Sequence, residues 1–334
     1  MPGVEMTRLY GAEGLDLDCV TDLLLSGQLV ALPTETVYGL AGDALREDVV
    51  RQIFDVKMRP FIDPLIVHIA ELRQGKILAE ISPEVELLAG KYWPGPLTMV
   101  LRKRPVVPDL VTAGLPTVAI RMPAHQVMRQ VLQKSGLCLA APSANPFGYV
   151  SPTRAQHVID SLSGRVAHVV DGGDCQHGIE STVIGLQDPE RPVLLRPGPI
   201  GREQLEATLG REVHPATAHL DKQAQVSPGL LKKHYSPSVK VDLLPNGFSD
   251  LPPEITSGQA MVFFQRPKHI TGYEDYDLFW LTEDGDPTVA AQNLFALLRK
   301  LDSGSRYSRL WIEQAPSKGL GSAINDRLKR AAAK

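Results

Sequence analysis

Short apolar runs that stop at proline, glycine or a hydroxyl residue recur along this chain, with helix-period stretches between them. Few architectures accept that alternation. Leu29-Val30-Ala31-Leu32 reads as a buried strand closed by Pro33. Residues 46–57 follow, with Val49, Val50, Ile53 and Phe54 on one helical face. Further strands are predicted at 65–69, 97–101, 118–121, 137–141, 166–170, 181–186 and 193–195. Helices are predicted over 84–92, over 125–134 with Gly136 as its stop, and over 202–209. Ser151-Pro152-Thr153 reads as the start of another helix, with a capping hydroxyl and a proline early in the first turn. Several strands succeed one another with no helix between. The expected fold is therefore α/β with a twisted mixed sheet rather than a doubly wound one.

At 334 residues the chain exceeds the size at which one core usually stops growing, so two domains are expected. Past Gly210 periodicity fades, and the prolines of the stretch down to Pro237 mark a connecting segment. Strands are predicted again at 239–244, 259–265, 277–282 and 308–314, with a helix over 287–301 and another after Gly319-Leu320-Gly321. The expected organisation is a first domain over 1–205, a linker over 206–238 and a smaller Rossmann-like α/β domain over 239–334.

Charge and cysteine content narrow the function classes. A formal net charge of −3 disfavours a broad nucleic-acid surface. Cys19, Cys138 and Cys175 are scattered and form no CxxC pair, which argues against a disulfide framework or a cysteine zinc site and suits a reducing compartment. The first residues show no basic start followed by an apolar core, and no apolar run approaches a membrane span. A cytoplasmic location is expected.

Several clusters sit where strands end, the usual ligand position in α/β folds. They are Pro33 to Leu40 (PTETVYGL); Lys57-Met58-Arg59-Pro60, then Asp63 and the strand carrying His68; Thr117 to Arg121; Ala141 to Asn145 (APSAN); Gly178 to Thr182 (GIEST); and Leu195-Arg196-Pro197-Gly198. Lys57 and Arg59 can face one anion, Lys as a point charge and Arg as a planar fork. Each cluster alone also suits a bland reading: a capped turn at Thr34–Thr36, cations at a helix end matching the dipole, a satisfied core histidine at His68. Together they gather hydroxyls and cations without a metal-ligand cluster. No GxSxG or Walker sequence is present, and the GLG at 319–321 lacks the third glycine of a dinucleotide fingerprint. An anionic nucleotide fits this pattern better than a hydrolase triad.

In this order, PTETVYGL, KMRP…DPLIVHI, WPGPLT, VAIRMP, APSAN, SPT, GIESTVI and LLRPG resemble the YrdC-like family of threonylcarbamoyl-AMP synthases. The stretch SPGLLKKHYSP and the tail GLGSAINDRL resemble its two-domain members. The resemblance implies that L-threonine, bicarbonate and ATP give threonylcarbamoyl-AMP and pyrophosphate, for threonylcarbamoyladenosine in tRNA. It implies that Lys57 and Arg59, with Ser143 and Asn145, surround the nucleotide phosphates and act in catalysis. Thr117, Ser151, Arg196 and Tyr235 are implied as further ATP contacts, Tyr235 from a linker that covers the site. Thr36, His68, Arg121, Ser181 and the backbone of Ala141 are implied as threonine contacts. Asp63 stands among the ATP contacts where the family usually has asparagine; a carboxylate there loses an amide donor and adds negative charge.

No protein-held metal is expected; Mg²⁺ would ride on ATP. The expected partners are the small substrates, a downstream tRNA threonylcarbamoyl transferase complex and at most a weak tRNA contact. The competing readings are a non-catalytic double-stranded RNA or tRNA binding protein, which the acidity disfavours, and a hydrogenase-maturation carbamoyltransferase, whose zinc-finger cysteine pairs are missing here.

Overall fold

The computed structural model describes residues 6–216, 235–248, 258–268 and 277–333. Its strands are β1 (Arg8–Gly11), β2 (Val30–Leu32), β3 (Gly39–Asp43), β4 (Ile66–His68), β5 (Leu97–Arg102), β6 (Thr117–Arg121), β7 (Leu139–Ala140), β8 (His168–Asp171), β9 (Thr182–Gly185), β10 (Val193–Arg196), β11 (His214–Pro215), β12 (Lys240–Leu244), β13 (Gln259–Gln265), β14 (Asp277–Thr282) and β15 (Arg309–Glu313). Its helices are α1 (Leu17–Leu25), α2 (Glu47–Lys57), α3 (Leu72–Leu78), α4 (Pro83–Tyr92), α5 (Asp109–Thr112), α6 (Gln126–Ser135), α7 (Ala155–Leu162), α8 (Arg202–Leu209), α9 (Pro287–Asp302) and α10 (Leu320–Ala332).

The first eleven strands form one sheet in the order β1-β8-β2-β3-β7-β4-β6-β5-β9-β10-β11. It is mixed, as the succession of strands without helices requires. β4 and β6 run parallel, while β2–β3, β3–β7, β4–β7, β5–β6 and β9–β10 are antiparallel. Buried apolar residues on both sides fill the space between the sheet and its helices, around Val49, Ile53, Phe54, Val67 and Ile120 on one face and Val20, Leu24, Val131 and Leu132 on the other. The second sheet runs β12-β15-β13-β14 and is parallel throughout. Asp286 caps α9 by accepting from the Thr288 amide, and Pro287 occupies its first turn.

Two expectations need correction. Ser151 does not cap a helix: α7 begins at Ala155, and the Ser151 hydroxyl donates instead to Glu180 Oε1 at 2.5 Å. Ser151, Pro152 and Thr153 are all buried, and the hydroxyl makes a charge-assisted hydrogen bond to a buried carboxylate three residues before the helix starts at its own cap, Arg154. The connecting segment also does not start at 206, because α8 runs through that position and β11 still pairs with β10 of the first sheet. Most of the stretch SPGLLKKHYSP, up to residue 234, lies outside the described residues.

The two sheets share a core. Val37, Val150, Ile179 and Tyr235 join Ala291, Leu294, Phe295 and Leu298 of α9 in one buried cluster. Gly178, at φ +68°, lies so close to α9 that a Cβ would sit 2.4 Å from Gln292 Cα, so only glycine fits there. Buried Arg299 of α9 donates to the carbonyls of Val150 and Ser151, and Tyr149 donates to Asp302 at 2.9 Å.

Candidate active site

Strand register aligns the site. In β4, β6 and β5, His68 lies beside Arg121 and Arg121 beside Thr98. β9 runs parallel to β5, with Leu97 beside Thr182, so Ser181 falls at the same sheet end. Arg196 closes β10 next to them. Together they form a cleft at that end of the sheet. Among the described residues its wall includes Thr34, Thr36, Arg59, His68, Arg121, Ala141, Ser143, Glu180, Ser181, Arg196 and Tyr235.

The loop after β2 shapes one wall. Thr34 Oγ1 donates to the Val37 carbonyl at 2.6 Å and accepts from the Thr36 and Val37 amides, closing a tight turn. Arg121 is held on three sides. Its Nη2 meets Glu35 Oε1 at 2.6 Å, its Nη1 donates to Thr36 Oγ1 at 2.8 Å, and its Nε donates to the Gly95 carbonyl at 3.2 Å. A guanidinium has five N–H groups, so two remain to meet a carboxylate. Burial alone would raise the pKa of Glu35, but the Arg121 charge and hydrogen bonds outweigh it and hold the carboxyl below its ordinary 4.5.

His68 behaves differently. Burial, reinforced by the Arg121 charge, brings its pKa down to about 3, so the imidazole is neutral. Its Nδ1 has no hydrogen-bond partner among the described residues. The ring lines the cleft, and a neutral imidazole there suits a ligand hydroxyl or amine. Opposite it, Ser181 Oγ shares a 2.7 Å hydrogen bond with buried Thr98 and accepts from Arg196 at 3.2 Å. Arg196 also donates through Nε and Nη2 to the Ser181 carbonyl. Gly198 permits this geometry, since a Cβ there would lie 2.3 Å from the Thr182 amide nitrogen.

The cationic pair divides its work. Arg59 lines the cleft. Its Nε donates to the Asp63 carbonyl at 3.0 Å and its Nη2 to the Pro64 carbonyl at 2.6 Å, while Asp63 Oδ2 forms a buried ion pair with Nη2 at 2.9 Å. Lys57 stands behind the wall. Its Nζ donates to the carbonyls of Ser143 (2.5 Å) and Asn145 (2.6 Å), pinning the APSAN loop rather than facing an anion beside Arg59. Burial, and then the Arg59 charge, pull the Lys57 amine well below its ordinary 10.5. Asn145 donates to the Pro146 and Tyr149 carbonyls and also lies behind the wall. Ser151 does so too, through Glu180. Thr117 is not gathered in: it starts β6 beside Arg102, four residues before Arg121, which is about 13 Å along a strand.

Tyr235 is fully buried and lines the cleft. Its φ of +59° is one that a large side chain seldom adopts, and its ring lies 5.4 Å from that of Phe295 and 5.6 Å from the Arg327 guanidinium carbon. The residues that gained no role from sequence are Glu35, Thr98, Glu180 and Arg327. The first three sit inside quoted motifs and the last inside the tail GLGSAINDRL. Their roles depend on contacts across long separations in sequence, which spacing does not report.

A mixed sheet that gathers arginines, hydroxyls and a neutral histidine around one cleft, backed by a small parallel sheet, defines an α/β enzyme of the YrdC-like class. The Sua5/YciO/YrdC family model, described as telomere recombination, matches residues 22–198, and the model for the threonylcarbamoyl-AMP synthase C-terminal domain matches residues 200–333. The chain is 41% identical over 312 residues to a threonylcarbamoyl-AMP synthase of Pyrococcus abyssi, covering 91% of this chain and 90% of the relative. It is 40% identical over 325 residues to a threonylcarbamoyl-AMP synthase of Bacillus subtilis, covering 93% and 91%. The crystal structure of P. abyssi Sua5 complexed with L-threonine superposes with a TM-score of 0.86 at 36% identity, covering 98% of each chain. This chain belongs to the threonylcarbamoyl-AMP synthase family, in its two-domain form. No helix among the described residues is long and apolar enough to cross a membrane.

Proposed function

We propose that this chain condenses L-threonine, bicarbonate and ATP into threonylcarbamoyl-AMP and pyrophosphate in the cytoplasm, and hands the adenylate to a tRNA threonylcarbamoyl transferase complex. The observation that carries the reading is one cleft combining an amino-acid-sized polar set with two buried arginines. Arg121 offers its remaining N–H groups to the threonine carboxylate. Thr36, His68 and Ser181 are within the same wall for the amine and hydroxyl. Arg59, Ser143 and Arg196 are left for the triphosphate.

The chemistry accounts for these residue types. The threonine amine adds to the bicarbonate carbon and water leaves, giving a carbamate. A carbamate oxygen then attacks the α-phosphorus, the α–β bridging P–O bond breaks, and pyrophosphate departs with that electron pair. Two anions must approach, so fixed cations lower the barrier by offsetting the charge and aligning the groups. No side-chain nucleophile is needed. Mg²⁺ arriving with ATP would supply further charge neutralisation. Carbamates lose CO₂ readily in water, and buried Tyr235 helps to keep water out. Lys57, Asn145 and Ser151 support the reaction by fixing the loops that carry Ser143 and Glu180. Incubation with ATP, bicarbonate and labelled threonine should yield labelled threonylcarbamoyl-adenylate with matching pyrophosphate release. Threonine-independent ATP cleavage, or no adenylate, would overturn the proposal.

A further inference from the structure

Glu180 presents a carboxylate to a cleft that otherwise collects positive charge, and its only cationic side-chain partner among the described residues comes from the far end of the chain. Arg327 of α10 is buried. It donates through Nε to Glu180 Oε2 at 3.1 Å, through Nη2 to the Glu180 carbonyl at 3.2 Å, and through Nη1 to the Pro197 carbonyl at 2.6 Å. The other carboxylate oxygen accepts from Ser151. One guanidinium therefore binds both peptide segments that flank the arginine-rich wall: Glu180 precedes Ser181, and Pro197 follows Arg196. It also lies against the Tyr235 ring.

From this geometry we infer that Arg327 is a positioning residue of the synthase reaction: it occupies Glu180 and thereby keeps Arg196 for the nucleotide. Glu180 and Arg196 are close enough to feel each other's charge. A buried carboxylate that loses its cation is left uncompensated, and the charge of Arg196 is already within its field. Without Arg327 the cation left to it is Arg196, and Glu180 then competes with phosphate oxygens for it. The second domain is thus a working part of the site, supplying one side chain that acts through Glu180. The inference rests on the proposal that the Arg196 side of the cleft takes ATP.

The test is steady-state kinetics on the full chain. Arg327→Met should raise KM for ATP about tenfold or more with kcat within about twofold, and leave threonine binding measured by calorimetry nearly unchanged. Adding Glu180→Gln to that variant should recover most of the loss, which a merely structural role for Arg327 would not allow. If Arg327→Met does not fold, Arg327→Lys keeps the charge, loses the fork, and should show the same relief by Glu180→Gln in smaller measure. An unchanged KM for ATP, or a rise that Glu180→Gln leaves in place, overturns the inference. A wild-type chain that forms no adenylate overturns the proposed function instead.

Discussion

Replacing Glu35 by glutamine removes one charge from a pair that the fold has withdrawn from water. The Arg121–Glu35 contact is 2.6 Å, with both side chains 4% exposed. At an effective dielectric constant of about 20, unit charges at that distance attract by about 6 kcal/mol. Glutamine keeps the shape and one acceptor, but its amide end then faces the Ala124 N–H, donor against donor. Allowing for the dipole that remains, the net loss should be about 3 kcal/mol, the low end for breaking a buried ion pair. Denaturant unfolding at pH 7 reads this directly. The same variant should lose part of the acid sensitivity of the wild type. Glu35 is held below its ordinary pKa, so its contribution is complete above about pH 4.5 and lost as pH falls below that. Threonine should stabilise the variant more than the wild type, because its carboxylate replaces the missing counter-charge. Equal midpoints for variant and wild type would refute the ion-pair reasoning. Equal stabilisation by threonine would refute the carboxylate's place at Arg121.

His68 should set a second pH effect: its pKa of about 3 against an ordinary 6.5 means stability is complete above pH 6.5 and falls as pH drops, by about 2 kcal/mol at pH 5, and His68→Asn should flatten that slope. Arg59→Ala should cut adenylate formation by about a hundredfold while the circular dichroism spectrum is kept; near-normal turnover would make Arg59 a structural cation. Threonine should be preferred over valine by a wide margin and over serine by less, since valine leaves the hydroxyl's partners unpaired; equal use of valine and threonine in the adenylate assay would refute the hydroxyl pocket.

The elements with strong periodicity were legible in sequence. α2, α6 and α9 lie within about a residue of their predicted spans because each carries a continuous apolar face and a stop or cap. β13 and β14 match for the analogous reason, as apolar runs with sharp edges. β3 escaped notice: Gly39-Leu40-Ala41-Gly42-Asp43 has poor strand propensity and becomes a strand because β2 and β7 flank it. In the site, Arg121, Ser181 and Arg196 stand out as polar residues at strand ends, while the ligand role of His68 is implied only by the family resemblance. What spacing could not show is that Lys57 holds carbonyls while Arg59 faces the cleft. Two residues along a helix end point in different directions, and only the docked APSAN loop decides which one meets the ligand. Asp63, read as a departure from the family pattern, is the buried counter-ion of Arg59.

The Glu180–Arg327 contact spans 147 residues of chain. Ribosomes add about 5–20 residues per second, so Glu180 is made roughly 7–30 s before its partner exists. Through that interval the first sheet can form, yet the wall beside Arg196 still carries an uncompensated carboxylate. If Arg327 positions the site as inferred, full activity awaits the completed chain. A chain clipped before α10 would lose Arg327 together with Ala323, Ile324 and Leu328 of the shared core, which ties output of the adenylate to the integrity of the last helix.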